Sequence, residues 1–297
     1  MISWQASSKR QTILERTFVV GWACCQSCAP KVLEINVLLK GGWMRRSGQM
    51  GKYKSILKVF CFGAFLFSNG AFAADDLAKT RLYRLKSYYS CNNCDLSGAD
   101  LRGTMLHQSN LRETILAGAD LRWVYFNGVN LRGADLSGAD LRHAWLNKTD
   151  LRGANLSNAD LDNAQFSDVD LSGAILKKAY ASNGNLSEAI LARANLSQID
   201  LSGTNLSGAD LRYAYLNNSN LIKTDLSNAI LSYAQMRKAN LLGANLLHAN
   251  LRMADLRGAN LIEADLSTAN LSHADMEGAI FCNTLTPWGE DNSDCRK

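Results

Sequence analysis

The residues best placed to do chemistry are Cys91, Cys94, Cys282 and Cys295, the cysteines that remain beyond residue 73. Cys91-Asn92-Asn93-Cys94 is a C-x-x-C pair, and three chemistries suit that spacing. Two thiolates can supply half of a tetrahedral zinc site, a dithiol can cycle as a redox couple, and two sulfurs can form a structural bridge. The redox reading expects a βαβ unit around the pair, and the flanking sequence does not provide one. His107, His143, His248 and His273 are spread along the chain, and the serines have no neighbouring base. No Gly-rich phosphate loop or metal-ligand cluster appears. The sequence therefore points to no catalytic residue, no cofactor and no metal.

A repeat carries these cysteines at its two ends. Cys94 to Asn283 reads in fives without a slip, 190 residues in 38 units (190/5). With the large apolar residue named i, 32 of the 38 positions are Leu, and the exceptions are Phe126, Phe166, Ala181, Met236, Met276 and Phe281. Position i−2 is Ala in 25 units, i−1 favours Asp or Asn, and i+2 is often Gly. A helix is excluded, because five residues at about 100° each rotate successive Leu about 140° apart. A plain strand is excluded too, because an odd spacing sends alternate Leu to opposite faces. A short extended piece followed by a bend satisfies the pattern. Then i−2 and i point inward, i−1 points outward, and i+1 with i+2 make a corner that suits Gly.

Ala134-Asp135-Leu136-Ser137-Gly138, Ala139-Asp140-Leu141 and Ala209-Asp210-Leu211 resemble the pentapeptide-repeat family, whose consensus is Ala-(Asp/Asn)-Leu-X-X. The resemblance covers 190 of 297 residues. It implies an all-β chain, a right-handed quadrilateral β-helix with four units per coil, and so a rod roughly 45 Å long at a strand spacing of about 4.8 Å. Leu101, Leu121 and Leu141, with Leu201, Leu221 and Leu241, are then core ladders. The two cysteine pairs sit at opposite ends of such a rod, too far apart for one zinc site. Disulfides Cys91–Cys94 and Cys282–Cys295 fit an exported protein. The segment from Cys282 to Cys295 looks like the tail of secreted family members, with Trp288 expected to cover the last coil.

Charge divides the chain. Residues 1–73 hold ten basic and two acidic residues, and residues 74–297 hold 22 basic and 25 acidic, for nets of +8 and −3. Lys52, Lys54 and Lys58, the apolar run Val59–Phe67 and Ala71-Phe72-Ala73 read as a signal peptide over 50–73, cleaved after Ala73. Its apolar run is too short to span a bilayer, which needs about 20 residues. Translation is expected to start at Met50, with residues 1–49 a non-native or unstructured leader. Residues 74–93, with Leu77, Leu82, Leu85 and Tyr89 behind Asp75 and Asp76, suit a short helical cap. Residues 94–283 form the β-helix and 284–297 its C-terminal cap.

Residues 20 apart stack in columns if a coil has four units. Arg102, Arg122 and Arg142 then stand beside Asp100, Asp120, Asp140 and Asp160 as a neutralised, solvated face, and Arg112, Arg132 and Arg152 repeat the theme opposite. Exposed pairs contribute about 0–1 kcal/mol each, so this pattern concerns solubility. Ile222, Leu242 and Ile262 form an aliphatic column and a candidate self-association surface, hence a candidate homodimer. Tyr213, Tyr233 and Met253 form a second column, and Met105, Tyr125 and Trp145 a third. At Ala181, which replaces Leu ahead of Gly184, the rod is expected to kink rather than to open a binding cavity. The near-neutral body lacks the basic face of a nucleic-acid binder. The predicted function is a non-enzymatic, exported scaffold of the periplasm or envelope with an unnamed protein partner and no membrane anchor after cleavage. The alternative from the same resemblance is a cytoplasmic DNA mimic that binds gyrase. The signal peptide and the mature net of −3 depart from that branch.

Overall fold

The computed structural model describes residues 90–295. The expected leader, the signal peptide and the helical part of the N-terminal cap lie outside the described residues. From Ser90 onward every fifth residue makes a parallel bridge to the residue 20 positions later, as in Asp100↔Asp120 and Tyr125↔Trp145. Twenty residues therefore close one coil of four faces. Ser90, Asn110 and Asn130 begin the first face, Asp95 and Ile115 the second, Asp100 and Asp120 the third, and Met105 and Tyr125 the fourth.

The corners explain the period. In the unit Leu141–Trp145, the N–H of Ala144 returns to the C=O of Leu141 at 3.0 Å and closes a four-residue turn. Its third residue, His143, has φ 59°. Positive φ at that position alone is the mark of a type II turn, and it accounts for the frequent Gly at i+2. The other donors are satisfied by adjacent coils: Leu141 N–H to Asp160 C=O at 2.6 Å, His143 N–H to Asp162 C=O at 3.1 Å, and Trp145 N–H to Val124 C=O at 2.8 Å. One donor remains, the N–H of Arg142 at i+1, and Oδ1 of Asp140 accepts it at 3.2 Å. The preference for Asp or Asn at i−1 thus completes the backbone hydrogen-bond inventory of such corners, Asn110 excepted, whose Oδ1 is buried without a partner. Where i−1 is another residue, Asn or Asp at i+1 of the coil below can take over. Asn127 Oδ1 accepts from Asn147 N–H, and Asp162 Oδ1 from Ser182 N–H.

Inside, Leu at i and Ala at i−2 fill the tube. Leu121, Leu141 and Leu221 are completely buried, and Leu101, Leu201 and Leu241 join the same core. Thr in place of Ala can donate its hydroxyl to a carbonyl of the coil below, as Thr224 does to Leu201 and Thr149 to Phe126. The ladder runs one unit past each predicted end. Cys91 takes a buried Leu position, and Thr284-Leu285-Thr286 (β1) carries the last bridge, Asp265↔Leu285. Neither unit has Leu at i, which hid both from the repeat pattern. A second strand, β2 (Gly289–Asp291), folds back antiparallel to β1. Trp288, expected to cover the last coil, is instead 60% exposed.

The ladder passes straight through the irregular unit, with Asp160↔Tyr180 and Tyr180↔Asp200 both bridged. The missing Leu side chain leaves a small apolar void beside Ala181, lined by Leu161, Phe166, Leu186 and Leu201 among others. The expected kink is therefore corrected to a packing defect, because hydrogen bonds between coils hold the backbone in place. Ala181→Leu should fill the void and raise stability by about 1–2 kcal/mol, read by urea denaturation. A lower stability would mean that the space is too small for the side chain.

Candidate functional site

The outer columns are the candidate functional surface, and three kinds are present. On the third face Arg102, Arg122 and Arg142 each fork onto the Asp two residues earlier. Their Nη2 atoms lie 2.7, 2.6 and 2.6 Å from Asp100, Asp120 and Asp140. Each Nε also reaches the Asp one coil on, at 3.5, 3.4 and 3.5 Å. The guanidinium hydrogen bonds hold Asp100, Asp120 and Asp140 below the usual carboxylate range. Asp160 ends the zigzag with Asp162 in place of an Arg, and burial pushes its carboxyl up. The opposite face repeats the theme only in part. Arg152 bonds Asp150 and reaches Asp170, whereas Asn130 accepts only the backbone N–H of Arg132 and the Arg112 guanidinium lies 3.8 Å from Glu113. Asn in place of Asp at 110 and 130 explains the difference.

Asp140 therefore has two jobs, capping a corner N–H and pairing with an arginine. Asp140→Ala should cost about 1 kcal/mol, while Asp140→Asn, which keeps the oxygen acceptor, should cost less. The sign of the pH dependence follows from the lowered carboxyls. Their stabilisation is complete above the unfolded value of 3.8 and is lost as pH falls through the lower folded value. Urea midpoints should thus fall on acidification below about pH 4, and Asp140→Asn should flatten that limb. Asp160, with its raised value, works in the opposite direction.

Aromatic columns are the second kind. Tyr213 and Tyr233 stack at 4.9 Å between ring centres with planes 9° apart. Arg193 caps one side at 5.8 Å and Arg252 the other at 6.0 Å. Met253, exposed, continues the column. Near the other end Tyr125 and Trp145 stack at 6.1 Å and 15°. Beside them Trp123 stacks on His143 at 4.2 Å and 13°, a pair that the sequence reading missed although 123 and 143 are also 20 apart. Trp123, Tyr213 and Tyr233 occupy corner positions with φ near +60°. Bulky residues rarely adopt that conformation, and stacking compensates.

The third kind is aliphatic. Ile222, Leu242 and Ile262 are half-buried along their corner. More exposed apolar groups include Trp123, Trp145, Tyr180, Tyr213 and Tyr215, with Trp288 and Ile175. Half-buried aliphatic side chains one coil apart also pack on one another, which stabilises the rod.

Both cysteine pairs are bridged, Cys91–Cys94 with Cα atoms 5.4 Å apart and Cys282–Cys295 with 4.8 Å. Cys91 and Cys94 stand at i and i+3 of one corner, the Leu–Ala pair elsewhere, so a C-x-x-C fits the turn directly. Among the described residues no group of three or more His, Cys, Asp or Glu is arranged to hold a metal ion. Among the same residues no helix is long and apolar enough to cross a membrane.

The model of the family described as "Pentapeptide repeats" matches in eight copies, over residues 94–133, 134–173, 170–208, 209–246, 219–258 and 249–285. The chain belongs to the pentapeptide-repeat family. HetL, a pentapeptide-repeat protein involved in heterocyst differentiation regulation from the cyanobacterium Nostoc sp. strain PCC 7120, is 30% identical over 74% of this chain and 99% of its own, with a TM-score of 0.52. Rfr23 from the cyanobacterium Cyanothece 51142 is 40% identical over 31% of this chain and 63% of its own, with a TM-score of 0.31. QnrB1, a plasmid-mediated fluoroquinolone resistance protein, is 19% identical over 65% and 91%, with a TM-score of 0.36. No curated protein matches in sequence. This pentapeptide-repeat protein thus shares the right-handed β-helix of its family.

Proposed function

We propose that this pentapeptide-repeat protein is an exported, non-enzymatic scaffold that docks a protein partner along the side of its rod. The observation that carries the reading is the pair of exposed aromatic columns, Trp123/His143 with Tyr125/Trp145, and Tyr213/Tyr233 between two arginines. A β-helix with bonds from coil to coil fixes such side chains rigidly, so little ordering entropy is lost when they are covered. Tyr, Trp and Arg are also the residues that dominate binding hot spots. Export rests on the signal-like segment 50–73 and gains support from the two disulfides. The DNA-mimic alternative loses support on the third face, where each Asp from 100 to 140 is neutralised by its own Arg.

N-terminal sequencing and fractionation from the native host test export, with a chain starting at Ala74 in the periplasm expected. A cytoplasmic chain retaining residues 50–73 would overturn it. Cross-linking in the same cells tests docking. Trp145→Ser with Tyr213→Ser should lose a partner that the parent captures, and equal capture by both would overturn the lateral surface.

A further inference from the structure

Among the described residues, the C-terminal end of the rod is capped on two of its four faces. On the third face the tail stands in for a further coil. Asp294 accepts from Phe281 N–H at 3.1 Å, Asn292 accepts from Asn283 N–H at 2.7 Å, and Cys282–Cys295 holds the segment down. On the fourth face β2 lies over β1. On the first and second faces the last coil stops at Asn270 and Asp275. There the N–H groups of Leu271, His273, Met276 and Gly278 meet no acceptor among the described residues, and the carbonyls of Ala269 and Ala274 meet no donor.

The result is a ledge one strand deep, backed by the tail and floored by Leu271, Ala274 and Met276, which are only partly buried. We propose that this ledge is a strand-addition site for an extended peptide of a partner protein. The proposal rests on the scaffold reading and names where and how a partner would bind. Main-chain bonds supply affinity in this mode and alternate side chains supply specificity. The occupant's chemistry follows from the ledge. Its inward positions must match the tube, small and then Leu. On the second face its outward position meets exposed Asp275 and Glu277, two carboxylates against the one Arg257 paired to Asp275 at 3.2 Å, so a basic residue is favoured there.

The probe is the acetylated, amidated peptide Ala-Lys-Leu-Ser-Gly-Ala-Lys-Leu-Ser-Gly, added to the full chain while amide hydrogen exchange is followed. At ten times its Kd, exchange at Leu271 and Met276 should slow about tenfold. The peptide N-methylated at both lysines should give no slowing, because each lysine N–H is the donor to Ala269 or Ala274. Glu in place of Lys should weaken binding. No slowing with the parent peptide would overturn the site. Amides at 271 and 276 already as slow as those of Phe281 and Asn283 in the protein alone would mean the chain covers its own ledge and would also overturn it. Slowing that tracks protein concentration together with a doubled solution mass would assign the ledge to a second copy instead. A rod that loses its cross-linked partner through Trp145 and Tyr213 yet binds no peptide keeps the scaffold reading and loses only this site.

Discussion

Leu141→Ala is expected to lower the stability of the rod by about 3 kcal/mol, within the range of about 2–5 kcal/mol for fully buried Leu→Ala changes. Leu141 has no exposed surface, and its own backbone is pinned from two directions. Its N–H donates to Asp160 at 2.6 Å, and its C=O accepts from Ala144 at 3.0 Å. The Leu residues at 121 and 161, one coil away on each side, are held in the same way. The tube therefore cannot collapse around a deleted side chain, and the lost contacts remain lost. Ala181 shows the outcome natively, with an unbroken ladder and a void beside it. Because each coil touches mainly its neighbours, the loss should appear as partial unfolding near the third coil as well as a lower urea midpoint. A change below about 1 kcal/mol would show that the tube relaxes more than its coil-to-coil bonding implies.

The inward ladder was legible because the period alone excludes a helix and a flat strand, leaving Leu and Ala nowhere to go but the centre. Asp140 was only half legible. An acidic residue pointing outward reads as charge, and its second role, accepting the N–H of Arg142, exists only once the turn places that donor beside it. Cys91 was legible as one of a pair and not as a rung, because the pattern looks for Leu at i and finds sulfur. Trp123 and His143 were missed for a related reason. Their column holds only two rings, between Gly103 and Asn163, whereas Tyr213, Tyr233 and Met253 run over three coils. The ledge at Leu271 and Met276 has no sequence signal at all. Those residues obey the repeat, and only the absence of a following coil on their faces makes their N–H groups available.

The double change Cys282→Ser with Cys295→Ser is expected to cost about 3 kcal/mol at the C-terminal end, the chain-entropy value for a loop of this length. The bridge spans 13 positions and encloses β1 and β2. Release would free the tail to leave Phe281 and Asn283, whose N–H groups now donate to Asp294 and Asn292. Their amides should then exchange faster, as should that of Leu266, which donates to Leu285 of β1 at 2.7 Å. Amides near Leu121 and Leu141 should not change, since a solenoid passes stability only between neighbouring coils. Opening Cys91–Cys94 should matter less. That bridge closes a single corner, which the Cys94 N–H to Cys91 C=O bond already closes at 3.4 Å. A reducing compartment would therefore soften the tail end first. Equal exchange at Phe281 in the parent and the double variant would show that hydrogen bonds alone hold the tail, and that the disulfide only locks a structure already formed.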